Sequence, residues 1–422
     1  MNPRRIIVIG AGVIGVSTAH MLRMDGHEVR LLEASGEAAN GTSHANGGYL
    51  SAAFCAPWAM PGLPREAFKA LFDRQAPFRF RPDGSLAQLR WMRELLSNCD
   101  AKQFSKHHLR MVRLALMSRV QLNHVVAQTG LAFDLRDAGV LQLFWQAPKS
   151  GWVEQRLSGL RGLGFDAQWL APHQVRSLEP ALVCSEHIAG GLYVRDDASG
   201  DCARFTQDLL AWNIQRGLLF EAQTRIDALE LDRSGQQLVA VRSGGNRWTA
   251  DAFIFATGVD TSKLLHAHLR VPVIPVKGYT VTAPVVSTQS PQCAVIDDAT
   301  KLAIARLGDQ VRLAGMAEVV GHDRRINAVR CDQLVRHYEA LYGSLPLHGR
   351  VQWTGLRPMT PDGMPIIGAT SIQGLYLNTG HGTYGWTLAC GSARLLADVI
   401  AQRPSELDPQ NYALNAQLRN RN

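Results

Sequence analysis

The N-terminal residues alternate between apolar runs and a glycine-rich turn in an order that predicts a strand, a helix and a second strand. Residues 6–9 are all apolar and are few enough for a buried parallel strand, and the glycine-rich stretch 10–15 follows at once. Apolar positions then recur at helical spacing until Gly26, where we expect the helix to end. Residues 28–32 predict the second strand, which leads to Glu33.

This succession of strand, glycine loop and helix is typical of a dinucleotide-binding unit. Gly10 permits a sharp turn, Gly12 lets the backbone approach a pyrophosphate, and Gly15 lets the helix pack closely on the strand. The helix N-terminus would bind the pyrophosphate, because its free N–H groups and its dipole favour negative charge. Glu33, 23 positions after Gly10, is placed to accept hydrogen bonds from a ribose. The predicted contacts of this unit are Gly10, Gly12, Val13, Ile14, Gly15, Glu33 and Ala34.

The later pattern predicts an α/β protein in which this unit is assembled from separate segments. Residues 85–130 have mostly helical spacing, and 271–320 alternate in the way of an antiparallel sheet. A helix over 205–215, a strand over 252–255 and a final strand and helix over 374–401 resemble the first unit again. We therefore predict a discontinuous Rossmann-type domain from 1–55, 200–270 and 350–422, and an α+β substrate domain with an antiparallel sheet from 56–199 and 271–349.

The composition and net charge exclude some classes of protein and of binding site. The 422 residues carry a net charge of +8, which fits a mildly basic solvated surface or attraction to anionic substrates or an anionic membrane. The chain has no basic run of the kind that binds nucleic acid, and its seven cysteines include no CxxC pair. We therefore expect no metal site, reduced thiols and a cytoplasmic location, without a signal peptide or spanning helix.

Several separated strings resemble a known family along essentially the whole chain. The 10–15 loop with Glu33, residues 256–258, residues 355–358 and residues 378–382 are similar to the FAD-dependent D-amino acid oxidase (DAO) family, which includes glycine and sarcosine oxidases. Strings in four places resemble the branch of bacterial D-amino acid dehydrogenase small subunits, namely 56–59, 275–279, 353–363 and 380–387. The resemblance implies FAD as the cofactor.

The resemblance also implies which further residues contact FAD. The loop 41–49 would cover the ribityl chain and flavin ring, and 380–387 would place a helix N-terminus where the reduced ring carries negative charge. The residues implied by these segments and by the middle of the chain are Ser43, Asn46, Gly47, Gly48, Ile226, Ala256, Thr257, Gly258, Gly380, His381, Gly382, Thr383 and Tyr384.

Arg357 is the residue we expect to bind the substrate. A carboxylate is best held by a planar donor with a permanent charge, and the family arginine in this string clamps the carboxylate beside the flavin. Tyr279 could donate to the same carboxylate, while Arg306 and Lys277 are weaker candidates. His44 is a possible general base or flavin contact, although a neutral amine needs no base for hydride transfer.

The predicted function is oxidation of a D-amino acid to an imino acid, which water converts to a 2-oxo acid and ammonia. By the same resemblance, electrons would pass to a quinone or another respiratory acceptor. The alternatives are a dehydrogenase of cyclic or secondary amines such as D-proline or cis-4-hydroxy-D-proline, a NAD-dependent dehydrogenase, and a non-catalytic FAD-binding subunit. An amphipathic segment over 65–74 could approach a membrane quinone, although packing on the core is the better explanation.

Overall fold

The computed structural model describes residues 3–70, 76–81, 83–184, 187–285 and 290–414. Its strands are β1 Arg5–Ile9, β2 Glu28–Leu32, β3 Tyr49–Leu50, β4 Phe78–Phe80, β5 Val140–Phe144, β6 Ala167–Leu170, β7 Gly190–Val194, β8 Ala198–Ser199, β9 Leu219–Glu221, β10 Ala228–Leu231, β11 Leu238–Ser243, β12 Asn246–Thr249, β13 Ala252–Phe255, β14 Ile274–Pro284, β15 Ala294–Asp297, β16 Leu302–Leu307, β17 Gln310–Val319, β18 Val351–Met359, β19 Ile366–Ala369 and β20 Leu375–Thr379. Its α-helices are α1 Val13–Met24, α2 Leu63–Ala70, α3 Leu86–Ser97, α4 Ala101–Thr129, α5 Trp152–Gly162, α6 Pro172–Leu178, α7 Cys202–Ile214, α8 Thr261–Leu265, α9 Ala328–Tyr342 and α10 Gly385–Ala401.

The first strand lies in the middle of a sheet whose strands come from distant parts of the chain. Within the described ranges the order is β19-β20-β13-β1-β2-β9, parallel except for the edge strand β19. Ile6 and Val8 pack with α1, α7 and α10 on one face, while Ile7 and Ile9 pack with the small antiparallel sheet β10-β11-β12 on the other. The sheet is therefore buried on both faces, as its continuous apolar strands predicted.

A larger mixed sheet forms the other half of the molecule. Its order over the described residues is β18-β14-β17-β16-β15-β5-β7-β6, with β4 paired to β17. One face packs against α9 through a cluster that includes Leu313 and Leu334. The opposite face lies beneath the loop that follows β2, where a Cβ on Gly47 would be 3.4 Å from Ala314. The two sheets thus meet around this loop.

The α/β class and its parallel and antiparallel sheets are confirmed, and some boundaries differ from the prediction. The helical stretch 85–130 is two helices, because Asp100 accepts hydrogen bonds from the backbone of Lys102 and Gln103 and caps α4. Strand β18, which lies in the segment 350–422, pairs with β14 in the larger sheet.

Two features bear on attachment to a membrane. Of the amphipathic segment, α2 is described to Ala70, and Leu71, Phe72 and Arg74 lie outside the described residues. None of the helices that the structure describes is both long enough and apolar enough to span a bilayer.

Candidate active site

The glycine loop after β1 is packed so closely that side chains are excluded at two positions. Gly10 has a φ of +100°, and a Cβ there would lie 2.7 Å from the carbonyl oxygen of Ala256. A Cβ on Gly15 would lie 1.8 Å from the Gly10 carbonyl oxygen. At Gly12, by contrast, the nearest neighbour of such a Cβ is the Ser43 hydroxyl at 3.3 Å. The loop is therefore closed by backbone at Gly10 and Gly15, whereas at Gly12 the neighbouring atom belongs to a side chain.

Glu33 holds the glycine loop as well as facing the predicted ribose site. Its Oε2 accepts a hydrogen bond from the Ala11 N–H at 2.6 Å, and its Oε1 accepts from the Ser35 N–H and hydroxyl, each at 2.8 Å. A carboxylate has about four acceptor positions, so Oε2 keeps capacity for a ribose hydroxyl. Ala34 is exposed beside it.

The carboxyl ends of β1, β13 and β20 meet next to this loop. The Ala256 N–H donates to the Ile9 carbonyl at 2.9 Å, and the Thr379 hydroxyl donates to the Gly258 carbonyl at 3.1 Å. The predicted segments 256–258 and 380–384 are therefore brought together with Gly10. Ile226 is different, since its side chain is buried in the core between the parallel sheet and the β10-β11-β12 sheet.

The loop 41–48 connects the glycine loop 10–15 to the larger sheet. The Val13 N–H donates to the Ser43 hydroxyl at 3.0 Å, and the Thr42 hydroxyl donates to the Leu356 carbonyl at 2.7 Å. The Gly48 N–H donates to Asn46 at 2.9 Å. The predicted contacts Ser43, Asn46, Gly47 and Gly48 therefore follow one another from the start of α1 to the face of β16 and β17.

The turn between β20 and α10 packs directly against β18. His381 forms an isolated bridge with Met359, and a Cβ on Gly382 would lie 2.9 Å from the sulfur of Met359. The His381 ring points away into the protein, with Nε2 3.0 Å from the Ser392 hydroxyl. Burial lowers the pKa of His381 to about 3, so this imidazole is neutral and serves as a structural group.

Tyr384 closes the same turn near the start of α10. Burial raises the pKa of its hydroxyl to about 12, and that hydroxyl accepts a hydrogen bond from the backbone of Ala56. Thr383, which precedes it, is exposed. This places Tyr384 between the segment that follows β3 and the end of β18.

Arg357 lies on the face of the larger sheet that is turned towards the loop 41–48. The register pairs Val276 with Arg357 and Gly278 with Gly355, so these residues share one face. The guanidinium lies over Gly278, where a Cβ would be 2.5 Å from its central carbon, and its Nη1 donates to the Met316 carbonyl at 2.7 Å. Burial lowers the pKa of Arg357 to about 10, which leaves it charged at neutral pH.

Two aromatic groups border this face. The exposed His44 has its ring centre 5.7 Å from that of Trp353, which stands two positions from Gly355 on the same side of β18. His44 and Arg357 therefore approach the same face of the larger sheet.

Tyr279 is the predicted substrate residue that the structure places elsewhere. It pairs with Thr354, and its fully buried hydroxyl donates to Glu318 at 2.7 Å beneath α9. This is the opposite face of β14 from Arg357, so the predicted contact with the substrate carboxylate is corrected. Arg306 donates to Ser290, and Lys277 lies 3.8 Å from Asp323, so both are also held away from Arg357.

Sequence reasoning missed several contributors to this face. Gly278 and Gly355 carried a usable signal, because a glycine within a strand often marks a close approach. Met316 has a positive φ of 60° that directs its carbonyl at Arg357, which no residue pattern would have indicated.

The arrangement fits FAD by two observations. Gly12, which precedes helix α1, has no side chain that could cap the helix, and the first turn carries no acidic residue, which suits a pyrophosphate. On the Arg357 face, the hydroxyl of Thr280 is buried and lacks a hydrogen-bond partner within the described ranges, as expected of a group covered by a ligand. No cluster of three or more candidate metal ligands occurs among the described residues.

Comparison with known proteins gives one family match. Residues 5–399 match the family described as DAO, FAD dependent oxidoreductase.

Solved structures share the fold along the full length. Glycine oxidase from Geobacillus kaustophilus has a TM-score of 0.75 at 20% identity, covering 98% of this chain and 99% of that one. L-proline dehydrogenase from P. horikoshii has a TM-score of 0.77 at 15% identity, covering 99% of both chains. Iminodiacetate oxidase from Chelativorans sp. BNC1 has a TM-score of 0.73 at 19% identity, covering 97% of this chain and 98% of that one. At these identities the likeness is one of fold.

Proposed function

The chain belongs to the DAO family of FAD-dependent oxidoreductases, and we propose that within this family it oxidises D-amino acids to 2-oxo acids and ammonia. FAD as the cofactor follows from the family, so the alternative of a NAD-dependent dehydrogenase falls away. The observation that carries the proposal is Arg357, a charged guanidinium on the face of the larger sheet that is turned towards the loop 41–48. Such a group is suited to binding the α-carboxylate of an amino acid in two parallel hydrogen bonds.

The chain's own residues would bind and orient the two reactants. The glycine loop with Glu33 and Ser43 would hold the dinucleotide, and the loop 41–48 would cover it. When bound, FAD would supply the acceptor for a hydride from Cα. Arg357 would hold the carboxylate so that the Cα–H bond keeps one orientation. Its contribution to catalysis would therefore be to orient the substrate.

The proposed reaction requires little proton transfer by side chains of the protein. Substrate that binds with a neutral amine loses its Cα hydrogen without a base, and the imino acid is then hydrolysed by water. His381 cannot take the amine proton, because it is buried and turned towards Ser392. We propose that His44 packs against Trp353 and so holds the loop 41–48 against the larger sheet.

The electron acceptor is proposed from the resemblance of four strings to bacterial D-amino acid dehydrogenase small subunits. By that resemblance, electrons leave for a quinone or another respiratory acceptor. The net charge of +8 is compatible with peripheral contact to an anionic membrane surface on the cytoplasmic side.

A second candidate is oxidation of secondary or cyclic amino acids. It is supported by the similar solved structures, which include glycine oxidase, L-proline dehydrogenase and iminodiacetate oxidase. Arg357 would bind the carboxylate of such substrates in the same way.

The test is anaerobic bleaching of the bound flavin by a panel of D-, L- and cyclic amino acids. The proposal expects bleaching by D-amino acids and none by their L-enantiomers. Bleaching by D-proline far faster than by D-alanine would instead support the second candidate. A flavin that no amino acid bleaches would overturn both and point to a non-catalytic FAD-binding subunit.

A further inference from the structure

Helix α3 exposes three leucines to solvent. Leu86 is 83% exposed, Leu89 59% and Leu96 50%. No other helix of the described ranges exposes more than two large apolar side chains, and α4, which exposes two, has 29 residues against 12 in α3. Single exposed leucines are ordinary on a protein surface. Three on one short helix instead indicate a surface that meets a partner.

The three leucines share one side of α3 with two exposed arginines. At 3.6 residues per turn, five exposed positions fall within about a third of the helix circumference. These positions are Leu86, Leu89, Arg90, Arg93 and Leu96. The three buried residues of the helix, Gln88, Trp91 and Leu95, lie on the opposite side. The helix is therefore amphipathic, and its outward side is itself partly apolar.

The inward side attaches α3 to the strand that carries Arg357. The Trp91 indole N–H donates to the Met359 carbonyl at 3.1 Å, and Trp91 and Leu95 belong to one buried cluster with Val276 and Met359. Met359 is the last residue of β18, two positions after Arg357. A surface that binds the outward side of α3 would therefore lie near the proposed substrate site.

The charges on the outward side are positive. Arg90 and Arg93 form no ion pair with any residue that the structure describes. Glu94 is the only acidic residue in the sequence of α3, and it already pairs with Arg270 at 2.7 Å. Leucines interspersed with arginines complement an anionic bilayer, because leucine enters the headgroup boundary while arginine meets the lipid phosphates.

A second copy of the chain is a less suitable partner for this side. In a symmetric dimer the same patch would face itself, which would bring Arg90 and Arg93 of both copies together. Juxtaposed like charges oppose association. The net charge of +8 on the whole chain also favours an anionic partner.

We propose that the outward side of α3 binds the surface of an anionic lipid bilayer. Its three leucines enter the headgroup boundary, and Arg90 and Arg93 contact lipid phosphates. A helix of 12 residues is about 18 Å long, so α3 lies along the surface without crossing it. The inference rests on the proposed function only for the use of a lipid-soluble electron acceptor, since the binding itself requires no turnover.

The first test is flotation of the holoenzyme with phosphatidylcholine vesicles that do or do not contain phosphatidylglycerol. With about 30% phosphatidylglycerol we expect binding at least tenfold tighter than to phosphatidylcholine alone, and weaker binding as salt is added. No binding to either vesicle would overturn the proposal. Equal binding to both would also overturn it, because the arginines would then have no part in it.

The second test makes the outward side polar. The triple variant Leu86→Ser, Leu89→Ser and Leu96→Ser should bind the anionic vesicles at least tenfold more weakly, because less apolar surface enters the bilayer. The matched control replaces two leucine-sized or smaller exposed side chains elsewhere, Leu347→Ser and Val329→Ser, which are 83% and 67% exposed. The control should bind as the unmodified protein does. Normal binding by the triple variant would show that another surface contacts the lipid.

The third test removes the positive charges. Arg90→Gln with Arg93→Gln should weaken binding about tenfold or more and reduce its dependence on salt. The matched control is Arg233→Gln with Arg324→Gln, two exposed arginines outside α3, which should change neither quantity. If both double variants lose affinity equally, the attraction comes from the overall charge and the assignment to α3 is wrong.

Two further measurements distinguish this inference from other readings. Sedimentation velocity without lipid reports self-association. A dimer that the triple serine variant converts to a monomer would make the patch an interface between copies and would overturn the lipid proposal. Anaerobic bleaching by D-amino acids, measured without lipid, tests the proposed function separately. Bleaching without vesicle binding would leave the function and overturn the surface, whereas vesicle binding that depends on α3, without bleaching by any amino acid, would do the reverse.

Discussion

Arg357 combines a permanent charge with a position that only neighbouring backbone could provide. Its guanidinium is held between Gly278 and the carbonyl of Met316, whose positive φ directs that oxygen towards it. A backbone carbonyl orients the side chain without neutralising it, so the charge stays available to a carboxylate.

Replacing Arg357 should therefore weaken substrate binding far more than cofactor binding. Arg357→Ala removes two charge-assisted hydrogen bonds, which together contribute about 3 kcal/mol or a loss of roughly 100-fold in kcat/KM. Arg357→Lys should recover part of this, because it restores the charge without the planar fork. Steady-state kinetics measure the loss, and the visible flavin spectrum checks that FAD is retained. Unchanged kinetics with full flavin content would show that another residue binds the carboxylate.

At the scale of elements, β14 and β18 make the space that Arg357 occupies. A Cβ on Gly278 would lie 2.5 Å from the guanidinium carbon. Gly278→Ala should thus displace the arginine and raise KM about tenfold, with FAD content unchanged, since an overpacked contact must shift one partner. Gly245→Ala is the matched control, because nothing lies within 4 Å of a Cβ there. A Gly278→Ala enzyme with normal KM would mean that the guanidinium binds substrate from another position.

The other face of β14 belongs to the core beneath α9. The Tyr279 hydroxyl donates to Glu318, which also accepts from Arg330 at 2.8 Å. Tyr279→Phe leaves a buried carboxylate oxygen without its donor, so the free energy of unfolding should fall by about 1–3 kcal/mol. The KM for substrate should change by less than about twofold. Urea unfolding and kinetics measure the two effects, and a large rise in KM with unchanged stability would restore Tyr279 to the substrate site.

The strands and helices of the site also show how much of the structure could be predicted from the sequence. The unit β1-α1-β2 was predictable because glycine packing, helical spacing and the strand-end acid are local signals. The face of β14 on which Tyr279 lies was not predictable, because it depends on the register with β18, a strand distant in sequence. It also depends on a shift in the pairing with β17 between Lys277 and Tyr279.

For the whole molecule, the site is produced by contacts between parts far apart in sequence. Arg156 approaches the turn before α10 only because α5 packs near the segment that follows β3, and no motif marks that packing. The resemblance to the DAO family led to the correct cofactor, because its glycine strings are long and uncommon. The family strings carry no signal for a contact such as that between Arg156 and the Ala53 carbonyl, which depends on where α5 packs.

Several buried titratable groups make stability depend on pH in opposite directions. Burial lowers the pKa of His20 and His107 to about 4, so their contribution to stability is present above about pH 6.5 and is lost as the pH falls through about 4. Ionisation of Asp197 gives stability the opposite dependence on pH. Burial raises its pKa from 3.8 to about 6, so the stability it contributes is complete below about pH 4 and is lost as the pH rises through about 6.

Asp197→Asn should therefore change the slope of stability against pH. Asp197 accepts hydrogen bonds from the Ser51 hydroxyl at 2.5 Å and the Ala52 N–H at 3.0 Å, and losing part of these gives an offset that does not depend on pH. Between pH 5 and 7.5 the wild type should lose about 1 kcal/mol relative to the variant, because only the wild-type carboxyl must ionise while buried. Urea unfolding of both proteins across this range measures the difference, with the exposed Asp166→Asn as control. Parallel curves for wild type and Asp197→Asn would mean that Asp197 has an ordinary pKa, and that the segment carrying Ala53 is held by an ionised carboxylate throughout.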